Sequence, residues 1–381
     1  MKETHTFFVP CAPGFEGVLE TEVSRLENVT LEGKERGGVT FTGPLDTAYH
    51  ANLNIRTGHR VLRRLDEFLA QSYPALFDRV TRLPWELYLG FNRMYSLKIS
   101  AKTSRLRHHK KIAETVASGV AEVLKPLGLN ASLQDNAPVE LHLRFYQDRC
   151  TLSLNTSGEH LHKRGYRTLT TEAPLRETLA AGLLLMSDSK NYDLILDPLC
   201  GSGTFVIEAA LLAQNRAPGL YRTFAFEQLP WFQPEKWARF KREAEAKVQD
   251  ASSSFTGNDI DAGAVKVARA NAARARVTNT VTFTNKNALD LAIAREGRAL
   301  LISNLPYGAR LGTEKEAQGL ARALTQRLTT HFVGWDFAIV TKDPEALNVP
   351  GLEVEKTLTF RNGGLNVTCV WGRVEASVLK R

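Results

Sequence analysis

The stretch Asp197-Pro198-Leu199-Cys200-Gly201-Ser202-Gly203-Thr204 constrains this chain more than any other. The apolar run Leu194-Ile195-Leu196 leads into it, and a helical pattern from Thr204 to Ala213 leaves it. A buried strand that turns through glycines directly into a helix is the ligand crevice of a doubly wound sheet. Glycine lets the backbone come close to a ligand and turn where a Cβ would obstruct. Tight strand–helix turns also use glycine without binding anything, so the turn by itself decides only the local fold.

The rest of the C-terminal half has the matching rhythm. From about residue 169 strand and helix alternate, which predicts a parallel sheet. Pro174 opens a helix through Met186, and an Ala-rich helix spans Ala262 to Ala275. Strands are expected at Phe255-Thr256-Gly257, Val281-Thr282-Phe283, Leu300-Leu301-Ile302 and Phe337-Ala338-Ile339-Val340. Two last strands hinge on Asn362-Gly363-Gly364 and give the sheet an antiparallel edge. An insertion over residues 214–250 is rich in proline and tryptophan, and its Trp231 and Trp237 are expected to pack.

Polar residues recur where these strands end. The second strand closes on Asp259, an acid placed to take a ribose hydroxyl pair, with Asp261 as a helix cap. Asn287-Ala288 follows the third strand, where an amide can read an adenine amino group. The fourth ends in Asn304-Leu305-Pro306-Tyr307. That sequence suits the methylation of an amine conjugated to a ring, whose lone pair must be drawn toward tetrahedral geometry. The Asn304 amide oxygen and the Leu305 carbonyl would accept its two N–H groups. Pro306 would fix the backbone, and Tyr307 would stack on a flipped base. No nucleophilic Ser, Cys or His is required.

The N-terminal half is different in kind. Residues 1–50 read as a small strand–helix–strand unit with 4 basic and 8 acidic residues. Residues 51–168 carry 19 basic against 10 acidic residues, and the remainder 26 against 23, so the excess of the net +8 is concentrated in the middle. Arg56, Arg60, Arg63 and Arg64 fall close together, and Arg105, Arg107, Lys110 and Lys111 precede an apolar-periodic helix from Ile112. A positive cluster at a helix entrance favours a polyanionic partner. Cys11, Cys150, Cys200 and Cys369 are scattered with no C-x-x-C pair, so free thiols and no metal site are expected. No apolar run approaches the ~20 residues of a membrane span and no secretory pattern opens the chain, which makes the cytoplasm the expected compartment.

On these motifs the chain resembles a known family, the RlmL-like THUMP-domain RNA guanine-N2 methyltransferases of the N-P-P-Y amino-methylating type. The likeness runs beyond the catalytic core to Ala51–Thr57 with Arg60-Val61-Leu62, to Asn155–Arg167, to Ala173–Ala181, and to Trp335 and Asn362-Gly363. It implies an α/β fold: a Rossmann-like class I methyltransferase domain (168–381) preceded by small α+β domains, ferredoxin-like (1–55) and THUMP (56–160), that bind RNA. S-adenosyl-L-methionine is the implied cofactor, held by Leu175, Asp197, Pro198, Cys200, Gly201, Ser202, Gly203, Thr204, Asp259, Ile260, Asn287 and Ala288. Structured RNA is the implied partner, 23S rRNA first and tRNA second. Arg56, Arg60, Arg63, Arg105, Arg107, Lys110, Lys111, Lys163, Arg164 and Arg167 are its expected contacts. The chain departs from the family at Leu305, where proline is usual, and at Asn287, where aspartate is frequent. Asn-Leu-Pro-Tyr is also similar to rRNA adenine-N6 methyltransferases, so a tRNA guanine-N2 enzyme and an adenine-N6 enzyme stay open. A non-catalytic RNA-binding or assembly protein would not need Asn304, Pro306 and Tyr307. A nicotinamide dehydrogenase would need G-x-G-x-x-G, which Gly201-Ser202-Gly203-Thr204-Phe205-Val206 is not.

Overall fold

Alternating apolar residues make His5–Pro10 a strand, β1, with Phe7 and Val9 fully buried. Helix α1 (Glu16–Ser24) follows, then the antiparallel strands β2 (Thr30–Glu35) and β3 (Gly38–Gly43), and α2 (Thr47–Asn54). Strand β4 (Leu62–Leu69), helix α3 (Tyr73–Val80), strand β5 (Met94–Lys102) and helix α4 (His109–Leu124) come next. Short β6 (Ser132–Leu133) and the hairpin β7 (Val139–Tyr146) and β8 (Arg149–Asn155) complete one sheet, ordered β2-β3-β1-β4-β8-β7-β5-β6. The boundary expected between residues 55 and 56 falls between α2 and β4. Strands from both sides of it share the sheet, because Phe7 pairs with Arg63 and Phe8 with Leu62. The computed structural model describes residues 3–89, 93–167, 175–293, 297–306 and 314–375.

By contacts the chain divides into two units, the first comprising Met1–Cys11, Leu19–Leu161 and Arg222–Glu243. Part of the tryptophan-bearing insertion therefore belongs to the N-terminal unit, although its sequence position lies inside the C-terminal domain expected from 168 onward. The reason is aromatic. Trp237 is 2% exposed and lies 5.9 Å from the Tyr49 ring and 5.1 Å, edge-on, from Phe226. Trp231 stacks on Tyr49 at 5.8 Å. Both tryptophans pack, as expected from their isolation in the sequence.

The second unit holds the other sheet. Helix α5 (Glu177–Met186) is apolar nearly all round and buried through Leu184. Strand β9 (Leu194–Asp197) runs into α6 (Thr204–Ala213). Helix α7 (Pro234–Ala246), which belongs mostly to the first unit, precedes β10 (Ser254–Asp259), α8 (Ala262–Arg274) and β11 (Val281–Asn285). Then come β12 (Ala299–Asn304), α9 (Glu314–His331), β13 (Asp336–Thr341), β14 (Leu352–Asn362) and β15 (Leu365–Val374). Strand order is β11-β10-β9-β12-β13-β15-β14, with the first five parallel and the last two antiparallel. The order reverses between β9 and β12, which opens a crevice at the carboxyl ends of these strands. A core of Leu301, Ile339, Phe337, Leu328, Phe332 and Trp335 backs the sheet on one side. Each such side chain contributes ~1.5–3 kcal/mol by burial, which keeps the strand ends fixed. No helix among the described residues is long and apolar enough to cross a membrane.

Candidate active site

The glycine turn after β9 has the geometry that its sequence predicts. Gly201 and Gly203 take φ of +52° and +83°, and Gly203 caps α6 in the left-handed conformation. A Cβ on Gly203 would sit 3.1 Å from the Phe283 ring and 3.2 Å from the Ala268 Cβ, so a larger residue there would be strained in its backbone and would crowd both neighbours. The turn leaves α6 with its first N–H groups beside it, a place where negative charge is favoured.

Four strand ends meet around this turn. Asp197 is 2% exposed, and its Oδ1 accepts from the Leu199 N–H at 3.1 Å and the Ser303 hydroxyl at 2.7 Å. Asp259 ends β10 with Oδ2 accepting from the Gly201 N–H at 2.8 Å and Oδ1 from the Asp261 N–H at 3.0 Å. Its carboxylate is thereby held beside the glycine turn, with lone pairs left for a diol. Asp261 caps α8 by accepting from the Gly263 N–H at 2.8 Å, the structural role expected for it. Asn285 donates to the carbonyls of Asp259 and Ile260, both at 2.9 Å, which presents Ile260 with 67% of its surface exposed. An exposed isoleucine beside the acid offers an apolar face to a flat ring.

Asn287 is exposed and accepts from the Leu289 N–H at 3.0 Å, leaving one lone pair of its amide oxygen; Ala288 beside it is buried. Leu175 is buried ahead of α5. Pro198, Cys200, Ser202 and Thr204 are buried in the turn itself. Burial, and then the charges of Asp197 and Asp259, push the Cys200 thiol well above its ordinary range, so it stays a neutral, inert group.

At the end of β12, Asn304 is 9% exposed and its amide oxygen has no hydrogen-bond partner among the described residues. An acceptor buried without a donor costs roughly 1–3 kcal/mol, which a ligand amine at that point would recover. Leu305 is 3% exposed and its N–H donates to the Val340 carbonyl at 2.9 Å, so the backbone after Asn304 is fixed. Pro306 follows, half-buried, and Tyr307 lies outside the described residues.

Two residues that organise this site are not singled out by the sequence. Asn258 is wholly buried: its amide nitrogen donates to the Pro198 and Lys286 carbonyls at 3.1 and 2.9 Å. Its oxygen accepts from the Thr284 hydroxyl and the Lys286 N–H at 2.8 and 3.1 Å. One side chain thus clamps the loops after β9 and β11. Ser303 is the other, through its bond to Asp197. Ser303 is a polar residue after the apolar run Ala299–Ile302, and that break in pattern is the signal that could have found it; β10 is polar at several positions, so Asn258 gives no such signal.

The basic residues separate into two sets. Arg105, Arg107, Lys110 and Lys111 are exposed around the start of α4, as their sequence position predicts. Lys163 is exposed as well. Five others are turned inward, which corrects their expected role. Arg56 and Arg63 are each 8% exposed, and Arg63 lies over the Tyr88 ring and bonds His5 at 3.1 Å. Arg60 pairs with Glu140 at 2.6 Å and reaches His160 at 2.8 Å. Arg164 pairs with Glu208 and Arg167 with Glu177 inside the second unit. Charge is legible in the sequence, but these guanidiniums are occupied by the fold.

Comparison with known proteins agrees with this geometry. Residues 164–370 match the profile described as RMKL-like, methyltransferase domain, and residues 6–62 match the RlmL ferredoxin-like domain. The chain is 33% identical over 368 residues to the ribosomal RNA large subunit methyltransferase K/L of Psychromonas ingrahamii, covering 94% of this chain and 49% of that one. The chain spans about half the length of the curated relatives it matches. A possible methylase from Clostridium difficile 630 superposes with a TM-score of 0.88 at 28% identity, over 98% of both chains. SMU.472, a putative methyltransferase solved in complex with SAH, gives 0.86 at 29% identity over the full length of both.

Proposed function

Because the chain belongs to the RMKL-like methyltransferase family, we propose that it transfers a methyl group from S-adenosyl-L-methionine to the exocyclic N2 of a guanine in 23S rRNA. The observation that carries this reading is the buried amide oxygen of Asn304 at the end of β12, which has no hydrogen-bond partner among the described residues. The residues around it fit the donor: a glycine turn in the left-handed conformation, Asp259 for the ribose, exposed Ile260 against the adenine, and Asn287 for its amino group. Bound there, the donor supplies an electrophilic methyl group on sulfur.

The chain's own residues then act on the amine. Asn304 Oδ1 and the Leu305 carbonyl accept its two N–H groups and draw the nitrogen lone pair out of conjugation. Held in this way, the nitrogen would take the methyl group that the donor supplies and release one of its two protons to solvent. Holding that geometry, which is present mainly near the transition state, is what accelerates the step. The curated relatives' name, a large-subunit rRNA methyltransferase, supports rRNA over tRNA, and the exposed group Arg105, Arg107, Lys110, Lys111 and Lys163 supplies the phosphate contacts. Leu305 in place of proline favours one second reading, an adenine N6 acceptor, which the same two carbonyl-type acceptors would serve.

The test is methyl transfer from labelled donor to 23S rRNA, followed by digestion to nucleosides and mass spectrometry. N2-methylguanosine is expected; N6-methyladenosine would assign the second reading, and no methylated nucleoside from rRNA or tRNA would overturn both.

A further inference from the structure

Arg167 and Arg164 are charged groups shut inside the second unit. The Arg164–Glu208 pair, at 3.5 Å, leaves 2% and 0% of its side chains exposed, and the Arg167–Glu177 pair, at 2.8 Å, 8% and 2%. Desolvation offsets most of what a buried ion pair gains, so net stability does not account for placing them there. Their contacts do. The Arg167 guanidinium reaches three groups on two segments at once: Glu177 Oε2 in the first turn of α5, the Leu175 carbonyl just ahead of it at 3.1 Å, and the Thr204 hydroxyl at 3.4 Å. Thr204 opens α6 directly after Gly201-Ser202-Gly203, and Leu175 stands just ahead of α5.

We propose that Arg167 is a positioning residue for the donor site: its planar guanidinium fixes Leu175 against Thr204 and so sets the width of the pocket for the methionine end of the donor. The inference rests on the proposed methyltransferase function. A lysine would carry the charge but lacks the fork needed for three directed contacts.

Protonation adds a second handle. Burial pushes the Glu177 carboxyl up to about 7 against the lowering effect of Arg167 and Arg164, with Glu208 adding to the rise. Tyr166, whose hydroxyl donates to Glu208 at 3.1 Å, completes the cluster. As pH falls through 7, Glu177 takes a proton and releases Arg167, so donor-site affinity is set to weaken.

The experiment uses the full chain, with S-adenosylhomocysteine as the calorimetric probe and a melting temperature for every variant. Arg167→Met and Arg167→Lys are expected to weaken probe binding at least tenfold. Arg164→Lys, in the same cluster but paired with Glu208, is expected to lower the melting temperature while affinity stays within twofold. Wild-type affinity should be weaker at pH 6 than at pH 8, and Glu177→Gln should abolish that difference. Wild-type affinity in both Arg167 variants overturns the proposal. So does affinity that tracks melting temperature equally in the Arg164 and Arg167 variants. A wild-type chain that binds no S-adenosylhomocysteine at any pH overturns the methyltransferase reading itself, and this inference with it.

Discussion

Ser303 donates its hydroxyl hydrogen to Asp197 Oδ1 across 2.7 Å, and both residues are buried. The bond joins the end of β9 to the end of β12, the two strands between which the sheet reverses. It ties the acid at the glycine turn to the residue that precedes Asn304, so one buried hydrogen bond links the proposed donor and acceptor halves of the site.

Ser303→Ala is therefore expected to cost about 1–2 kcal/mol of stability, because a buried carboxylate oxygen loses one of its donors. Affinity for S-adenosylhomocysteine should fall several-fold as Asp197 loosens. Denaturant unfolding and calorimetry on the same protein check both, and unchanged affinity would show that the Ser303 bond does not orient Asp197.

RNA affinity is expected to come from the exposed basic group at α4. Replacing Arg105, Arg107, Lys110 and Lys111 together by Gln should weaken binding and flatten the dependence of log affinity on log salt. Each lost phosphate contact removes roughly 0.7–0.9 from that slope. Replacing Arg60 or Arg63 should leave the slope alone and lower stability instead. An unchanged slope in the fourfold variant would make the α4 cluster a solvated face.

Acid should loosen the N-terminal unit through Glu140. Burial acts to raise its pKa, but the hydrogen bond and charge of His142, with Arg60 and Asn155, outweigh it and hold the carboxyl at about 2, below its usual 4.5. A carboxyl lowered in the folded state contributes stability that is complete above 4.5 and is lost as pH falls from 4.5 to 2. Glu140→Gln is expected to destabilise by about 1–3 kcal/mol at pH 7, and the gap to wild type should close near pH 2. Urea titrations at pH 7 and pH 3 measure it; an equal gap at both would mean that the charge of Glu140 contributes nothing.

The parallel sheet is legible in the sequence because β9, β12 and β13 are short apolar runs ending in polar residues, with β10 and β11 alternating between them and helical patterns in between. The same patterning by itself places Asp197, Asp259 and Asn304 at strand ends. The partners of Asn258 and Ser303 are not legible, since Pro198 and Asp197 lie 60 and 106 residues away and only the sheet brings them together. Nor is the fate of the arginines: Arg167 looks like any basic residue until Glu177 and Thr204 close over it. The packing of residues 222–243 with the N-terminal unit is hidden for a similar reason, because aromatic spacing says that Trp237 is buried without saying that Tyr49 buries it.

The most direct measurement is single-turnover methyl transfer by Asn304→Ala on a guanine-containing 23S rRNA fragment. Asn304 is assigned an interaction made mainly in the transition state, and loss of one such preorganised contact typically costs on the order of 10²–10³ in rate. A loss of that size is expected, with S-adenosylhomocysteine and RNA affinities nearly unchanged. An Asn304→Ala protein that transfers methyl groups at the wild-type rate would contradict it, and would place the chemistry on another loop.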